Sequence, residues 1–319
     1  MRTIAMLTSG GDAPGMNACI RSIARTALNK GIRVKGIRFG YEGLMRGDIY
    51  EMNVSSVADI IQKGGTILGS ARSEEFTKPE GQAKARNILK SFGIDGLIVM
   101  GGDGSMKGAE ALSKLGIMTA GVPCTIDNDL GYTDFTIGFH TAVETVIESI
   151  GKLRDTSASH ARAVIVQVMG RHCGDIALYA GLGGGAESVI VPEHDFDIQM
   201  ITDRIIRGKL RGKRHHIIVL AEGVGEPYEM GKTIKEITGV DTRITILGHV
   251  QRGGSPSFTD AKLACIMGSE AVQALVDGET AVAIGSHGQD IFRMPISEAV
   301  RVPHVFNESV YELTGMLSS

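Results

Sequence analysis

Short apolar, β-branched runs recur along the chain, and most stop at a polar turn rich in glycine. They occupy 3–8, 33–39, 96–100, 119–123, 163–168, 189–191, 216–220, 244–247 and 281–284. Several are almost wholly apolar, the pattern of parallel strands covered on both faces. Longer amphipathic stretches lie between them. Ala142, Val143, Val146, Ile147, Ile150 and Leu153 recur at helical spacing and predict a helix with one buried face. Ala271, Val272, Leu275 and Val276 form a similar stripe, with Gly278 as its stop. Strand–helix alternation of this kind predicts an α/β fold with mainly parallel sheets. Such sheets bind ligands at the carboxyl ends of their strands, so the glycine turns are where chemistry is expected.

Composition narrows the function class. Glycine supplies 43 of 319 residues, about twice the usual share of roughly 7%, and without a collagen-like period. There are 33 Lys+Arg against 36 Asp+Glu, so no global basic field invites nucleic acid. Cys19, Cys124, Cys173 and Cys265 form no CxxC pair and have no His cluster beside them. That argues against a disulfide frame or zinc site and fits a reducing compartment. No run approaches the ~20 apolar residues of a membrane span, and the opening run is too short for a secretory signal. A soluble, cytoplasmic protein is expected. At roughly 150 residues per domain the length suggests about two domains, with a boundary near 138 where the motifs change character.

Four motifs carry chemistry. The run TSGGDAPGMN at 8–17 follows the first strand. Gly10 and Gly11 let backbone N–H groups crowd one point ahead of a helix, an anion-binding arrangement; the bland alternative is a tight turn without a ligand. It is not GxGxxG, which weakens a dinucleotide reading. Gly101, Gly102, Asp103, Gly104 and Ser105 follow the strand at 96–100. Here Asp103 has no neighbouring base. A carboxylate beside a phosphate loop calls for a cation between them, and Mg²⁺ accepts such a site; otherwise Asp103 is a helix N-cap. Third, Asp127 and Asp129 lie two apart after the strand at 119–123, and in an extended segment they point the same way. One can then act as a base while the other orients a metal or its partner. Fourth, Arg162, Arg171, Arg243 and Arg252 lie near strand ends. Arginine matches phosphate geometry, so together they suggest a second phosphate site. The stretch 225–233 ends in GKT but has five residues between its glycines, not the four of a Walker loop, and two glutamates that repel phosphate. It is read as a surface turn leading into a helix.

The ordered motifs TSGGDAPGMN, GGDGS, PCTIDND, MGRHCGD and LGHVQRGG resemble those of bacterial ATP-dependent 6-phosphofructokinases, from Ile4 to about Pro303. The resemblance implies two Rossmann-like three-layer α/β domains with the active site in the cleft between them. Residues 1–138 plus about 251–303 would bind ATP, and 139–250 plus about 304–319 fructose 6-phosphate. It implies that Gly11, Arg72, Ser73, Gly102, Asp103, Gly104 and Ser105 surround ATP, with Asp103 on Mg²⁺. Asp127 would be the base, flanked by Thr125 and Asp129, with Arg171 steadying the transferring group. Thr125, Ile126, Asp127, Met169, Gly170, Arg171, Glu222, His249, Val250, Gln251 and Arg252 would face the sugar phosphate. Arg162 and Arg243 would reach in from a neighbouring subunit of a homotetramer. An effector pocket for ADP or phosphoenolpyruvate would gather Arg21, Arg25, Arg154, Arg211, Lys213, Arg214 and His215. Gly185 and Ala186 would lead to Glu187, which would bind a metal accompanying ADP or repel the wrong anion.

The chain departs from the family pattern at Cys124, Met106, Ala161 and Val54, the last where regulated members often carry another arginine. None removes a charged catalytic group. Two rival functions remain: a pyrophosphate-using relative, disfavoured by Gly104 and Cys124, and a non-catalytic sugar-phosphate sensor, disfavoured because Asp103, Asp127 and Asp129 are all present.

Overall fold

The computed structural model describes residues 1–318. They form two compact units, Met1–Thr141 with Arg252–His304, and Ala142–Gln251 with the stretch from Val305 onward.

In the first unit the chain runs β1 (Thr3–Thr8), α1 (Met16–Asn29), β2 (Arg33–Ile37), α2 (Gly40–Arg46), β3 (Ile49–Met52), α3 (Pro79–Ser91), β4 (Gly96–Gly101), α4 (Asp103–Lys114), β5 (Met118–Thr125) and β6 (Ile137–Gly138). After α5 (Phe139–His160) the chain builds the second unit with β7 (Arg162–Val168), α6 (Asp175–Gly184), β8 (Ser188–Ile190), α7 (Ile198–Leu210), β9 (His215–Ala221), α8 (Pro227–Thr238) and β10 (Thr242–Ile246). It then adds α9 (Phe258–Val276), β11 (Val282–His287), β12 (Asp290–Pro295) and α10 (Ile296–Ala299) to the first unit, and α11 (Glu308–Leu317) to the second.

The first sheet has the order β12-β11-β5-β4-β1-β2-β3, with β6 beside β5. Its middle strands are parallel, and every residue of β1 and β4 is buried. Leu7, Leu97 and Val99 pack with Leu44, Leu89 and Leu112 from α2, α3 and α4 on one face. The edge strands β3 and β12 are antiparallel. Neither was expected from sequence, because half-exposed edges carry Glu51, Asp290 and Arg293 among their apolar residues and break the run. β2 ends two residues short of its expected limit, since Phe39 turns left-handed at φ 55° to lead into α2.

The second sheet, β10-β7-β9-β8, is wholly parallel. Ile165, Ile218 and Leu220 pack beneath Ile201, Ile205, Met230 and Ile234 of α7 and α8. The helix predicted around 139–153 runs on to His160. Its first turn belongs with the first unit because the Thr141 N–H and hydroxyl both donate to the buried Asp260 carboxylate, at 2.7 and 2.6 Å. The stripe ending at Gly278 is α9, which stops at Val276. No helix among the described residues is long and apolar enough to cross a membrane.

Candidate active site

The site in the first unit grows from three neighbouring strand ends. β1 pairs with β4 up to Thr8↔Met100, and β4 with β5 up to Gly101↔Pro123. The turns that follow therefore share one edge. The Ser9 N–H donates to the Met100 carbonyl at 2.9 Å, closing the first turn onto the second strand. Asn17, buried in α1, holds the loop at 63–67 through both ends of its amide: it donates to the Lys63 and Gly64 carbonyls and accepts from the Ile67 N–H. The Thr8 hydroxyl donates to the Gly69 carbonyl at 2.8 Å. These bonds carry the following loop, with Arg72 and Ser73, to the end of β1.

Gly102 is the N-cap of α4, so the helix starts at Asp103 with its first-turn N–H groups at the glycine loop. This corrects one expectation. Asp103 does have a basic neighbour: Lys107 lies one turn along α4 with its Nζ 2.6 Å from Asp103 Oδ2. A loop reading hid the pair, and helical spacing creates it. It also settles the alternative N-cap reading, since Gly102 occupies that position.

The acidic run is not extended as its spacing would require. β5 ends at Thr125, and Asn128 turns left-handed at φ 55°. Its side chain fixes the turn, accepting from the Thr136 N–H at 3.0 Å and donating to the Asp134 carbonyl at 3.3 Å. Asp127 and Asp129 nevertheless both reach one cavity of about 510 Å³. All seven residues expected around ATP also line it, from Gly11 through Arg72, Ser73, Gly102, Asp103 and Gly104 to Ser105, together with Thr125 and Arg252. Arg252 donates from Nη1 to the Asp12 carbonyl at 3.3 Å, and its guanidinium lies against Gly11, where a Cβ would collide with it. Ile126 is buried beneath the run.

Sequence reading missed the aromatic wall of this cavity. Tyr41 stacks on Phe76 with centroids 3.9 Å apart and planes 7° from parallel. The Tyr41 hydroxyl donates to the Ser105 carbonyl at 2.8 Å, and burial pushes the phenol pKa well above its ordinary value. The available signal was Tyr41 between Gly40 and Gly43, just after a strand.

In the second unit, parallel strands put another set on one edge. Met169, Gly170 and Arg171 follow β7, Glu222 follows β9, and His249, Val250 and Gln251 lie in a 3₁₀ turn after β10. Gln251 is fully buried; its Oε1 accepts from the Met169 N–H at 3.2 Å and its Nε2 donates to the Gly248 carbonyl at 2.9 Å. The Glu222 N–H donates to the Val168 carbonyl at 2.9 Å. Arg162 and Arg243 do not join this set. They lie at the amino ends of β7 and β10, the opposite edge of the same sheet.

The expected effector residues divide between the units. Arg21 and Arg25 share a face of α1. The others are in the second unit, where Arg154 Nη2 donates to the Gly185 carbonyl at 2.8 Å. Glu187, only 4% exposed, has Oε1 at 2.8 Å from Lys213 Nζ and 3.4 Å from His215 Nε2. Its Oε2 accepts from the Ile217 N–H at 2.5 Å. Both carboxylate oxygens are thus engaged within the protein, and Glu187 anchors Lys213. Ala186 is buried beside it, Arg211 lines a cavity of about 340 Å³ with Glu187 and Lys213, and Arg214 lines a second cavity with His215.

The phosphofructokinase family model matches residues 3–275. The ATP-dependent 6-phosphofructokinase of Finegoldia magna is 62% identical over 318 residues, spanning 100% of both chains. That of Clostridium acetobutylicum is 58% identical over the same span. Phosphofructokinase from Saccharomyces cerevisiae superposes with a TM-score of 0.89 at 35% identity, over 98% of this chain and 50% of that one. A pyrophosphate-dependent phosphofructokinase from Marinobacter aquaeolei shares the fold, with a TM-score of 0.88 at 22% identity over 97% of this chain and 86% of that one. Two α/β units, one with a glycine loop and four carboxylates on a single cavity, together with these likenesses, place the chain in the phosphofructokinase family.

Proposed function

We propose that the chain transfers the γ-phosphoryl group of ATP to O1 of fructose 6-phosphate, giving fructose 1,6-bisphosphate and ADP. The observation that carries this reading is the cavity that joins the Gly102–Ser105 loop to Asp127, Asp129, Arg72 and Arg252. Phosphoryl transfer needs positioning and charge neutralisation more than covalent chemistry, and this cavity supplies both. The names of the full-length relatives support the same donor and acceptor.

Polyphosphate oxygens bind at the bare glycine backbone and the amino end of α4, with Arg72 offsetting their charge. Asp127 takes the proton of the sugar hydroxyl as its oxygen attacks phosphorus, and Thr125 and Asp129 hold that arrangement. Arg171 stabilises the charge on the transferring group. Met169, Glu222, His249 and Arg252 hold the sugar phosphate. The donor set fits Mg²⁺: Asp103 is a carboxylate, 41% exposed, that lines the cavity beside the glycine loop and offers a hard oxygen ligand. When bound there, the ion neutralises phosphate charge and orients the donor.

ATP is favoured over pyrophosphate because a Cβ at Gly104 would meet nothing within 4 Å, leaving the loop open for the longer donor. The reading extends to a cytoplasmic homotetramer in which Arg162 and Arg243 act on a neighbouring subunit's sugar phosphate. It also extends to weak regulation by ADP or phosphoenolpyruvate at the Arg154, Lys213 and Arg211 set, with Val54 supplying no charge. The test is a coupled assay with fructose 6-phosphate, comparing ATP with pyrophosphate and titrating each effector. Faster turnover with pyrophosphate, or none with ATP, overturns the donor assignment; half-maximal inhibition at micromolar phosphoenolpyruvate overturns the weak regulation.

A further inference from the structure

Arg162 opens β7 and Arg243 is the second residue of β10, and these neighbouring strands pair Ala163 with Thr242. Asp241 precedes β10 and lies between the two arginines. Its Oδ2 is 3.0 Å from Arg162 Nε and 3.0 Å from Arg243 Nη2. Its Oδ1 is 3.5 Å from Lys235 Nζ on α8. The backbone holds the carboxylate in register, since the Ala163 N–H donates to the Asp241 carbonyl at 3.1 Å. Three cations thus share one acid, and the cluster keeps an excess of positive charge.

Two guanidinium groups brought this close repel each other and splay unless a carboxylate lies between them. Asp241 is the one carboxylate among the described residues lining the adjacent cavity of about 220 Å³, with Arg162, Lys213, Arg214 and His215. Desolvation alone would raise its pKa, but Arg243, Lys235 and Arg162 outweigh it and hold the carboxyl below its ordinary value. It stays charged. By engaging Nε of one arginine and a single Nη of the other, it leaves N–H groups on both for an outside ligand. Their side chains are 32% and 59% exposed, so those groups are within reach of one.

We propose that Asp241 is a positioning residue that aligns Arg162 and Arg243 into one clamp for the sugar phosphate bound by a neighbouring subunit. This rests on the reading above, in which those arginines act across the subunit interface. The carboxylate touches no substrate; it fixes the angle and spacing of two groups that do. Preorganised guanidinium pairs lose less freedom when they close on a phosphate than two independent side chains.

The experiment compares steady-state kinetics of Asp241→Asn, Asp241→Glu, Arg162→Ser, Arg243→Ser and the double variant Asp241→Asn/Arg162→Ser, each checked for tetramer content and unfolding midpoint. Asp241→Asn is expected to raise the KM for fructose 6-phosphate about 10-fold, leaving the KM for ATP unchanged and turnover at saturation within about threefold. Asp241→Glu is expected to recover most of the loss. Adding Asp241→Asn to Arg162→Ser is expected to cost less than the two effects combined, because the carboxylate then has one partner left to align. An unchanged or lower KM for fructose 6-phosphate in Asp241→Asn, while Arg162→Ser and Arg243→Ser each raise it, overturns the positioning role and leaves the acceptor assignment standing. If neither arginine variant changes that KM, the assignment of Arg162 and Arg243 to the sugar phosphate falls, and this inference with it.

Discussion

Lys107 Nζ lies 2.6 Å from Asp103 Oδ2, joined to it by one turn of α4, and Asp103 lines the cavity where the donor phosphates would bind. The ammonium occupies the carboxylate that a divalent cation would claim. An exposed pair of this kind contributes about 0.2–1 kcal/mol, so its removal should favour the cation modestly. Lys107→Met is expected to lower the free Mg²⁺ needed for half-maximal activity by roughly two- to fivefold, measured by Mg²⁺ titration at fixed ATP. A higher requirement would show that Lys107 helps to bind the donor instead.

Asp127→Ser is expected to slow turnover by about 10²–10⁴-fold, the usual range for a general base, while the KM of each substrate changes only a few-fold. The Thr125 hydroxyl accepts from the Asp127 N–H at 3.3 Å, and the Asn128 turn is set by its own bonds, so the loop should keep its shape without the carboxylate. A kcat within a few-fold of the parent would remove Asp127 from the role of base.

Arg162 and Arg243 stand on the opposite edge of the second sheet from Met169, Arg171 and Glu222. In the proposed reading these side chains serve the sugar phosphate of two subunits, and their placement on two edges fits such sharing. Mixing Arg243→Ser subunits with Asp127→Ser subunits, each nearly inactive at low fructose 6-phosphate, should restore activity once hybrids form. No recovery, with hybrids seen by ion-exchange separation, would place each site within a single chain.

His216 is buried on β9 with its Nε2 3.2 Å from the Ser188 hydroxyl, and burial pushes its pKa down to about 4. Glu187 opposes that shift, while Lys213, Arg204 and His215 reinforce it. Unfolded, this imidazole takes up a proton near pH 6.5. Between roughly pH 6.5 and 4 the unfolded chain then binds more protons than the folded one. Stability should fall as the pH drops through that window, by up to about 3 kcal/mol from this residue. Urea unfolding of the parent and of His216→Gln across the window should show a shallower acid slope in the variant. Parallel slopes would mean that His216 takes up its proton in the fold as readily as in the unfolded chain.

Much of the architecture was legible because buried parallel strands must be apolar on both faces: β1 and β4 announce themselves as largely apolar runs that lead into glycine turns. The glycine loop, the three carboxylates and the arginines were legible too, since phosphate chemistry restricts which residue types can serve it. What those side chains touch was not. The Lys107–Asp103 pair exists only because α4 begins at Asp103, and a helix boundary depends on capping and packing beyond the local run. Tyr41 and Phe76 are 35 positions apart in sequence, and only the folded loops stack them. Asp127 and Asp129 face one cavity through the left-handed turn at Asn128, not through strand alternation. Likewise, two arginines that sequence could place only near strand ends fall on the edge away from Arg171, gathered by Asp241. Sequence by itself determined the strand–turn alphabet and the chemistry at its turns, because local pattern and residue type decide those. Tertiary structure alone decided partners, facing and edge, because they depend on which strand ends the sheet order brings together.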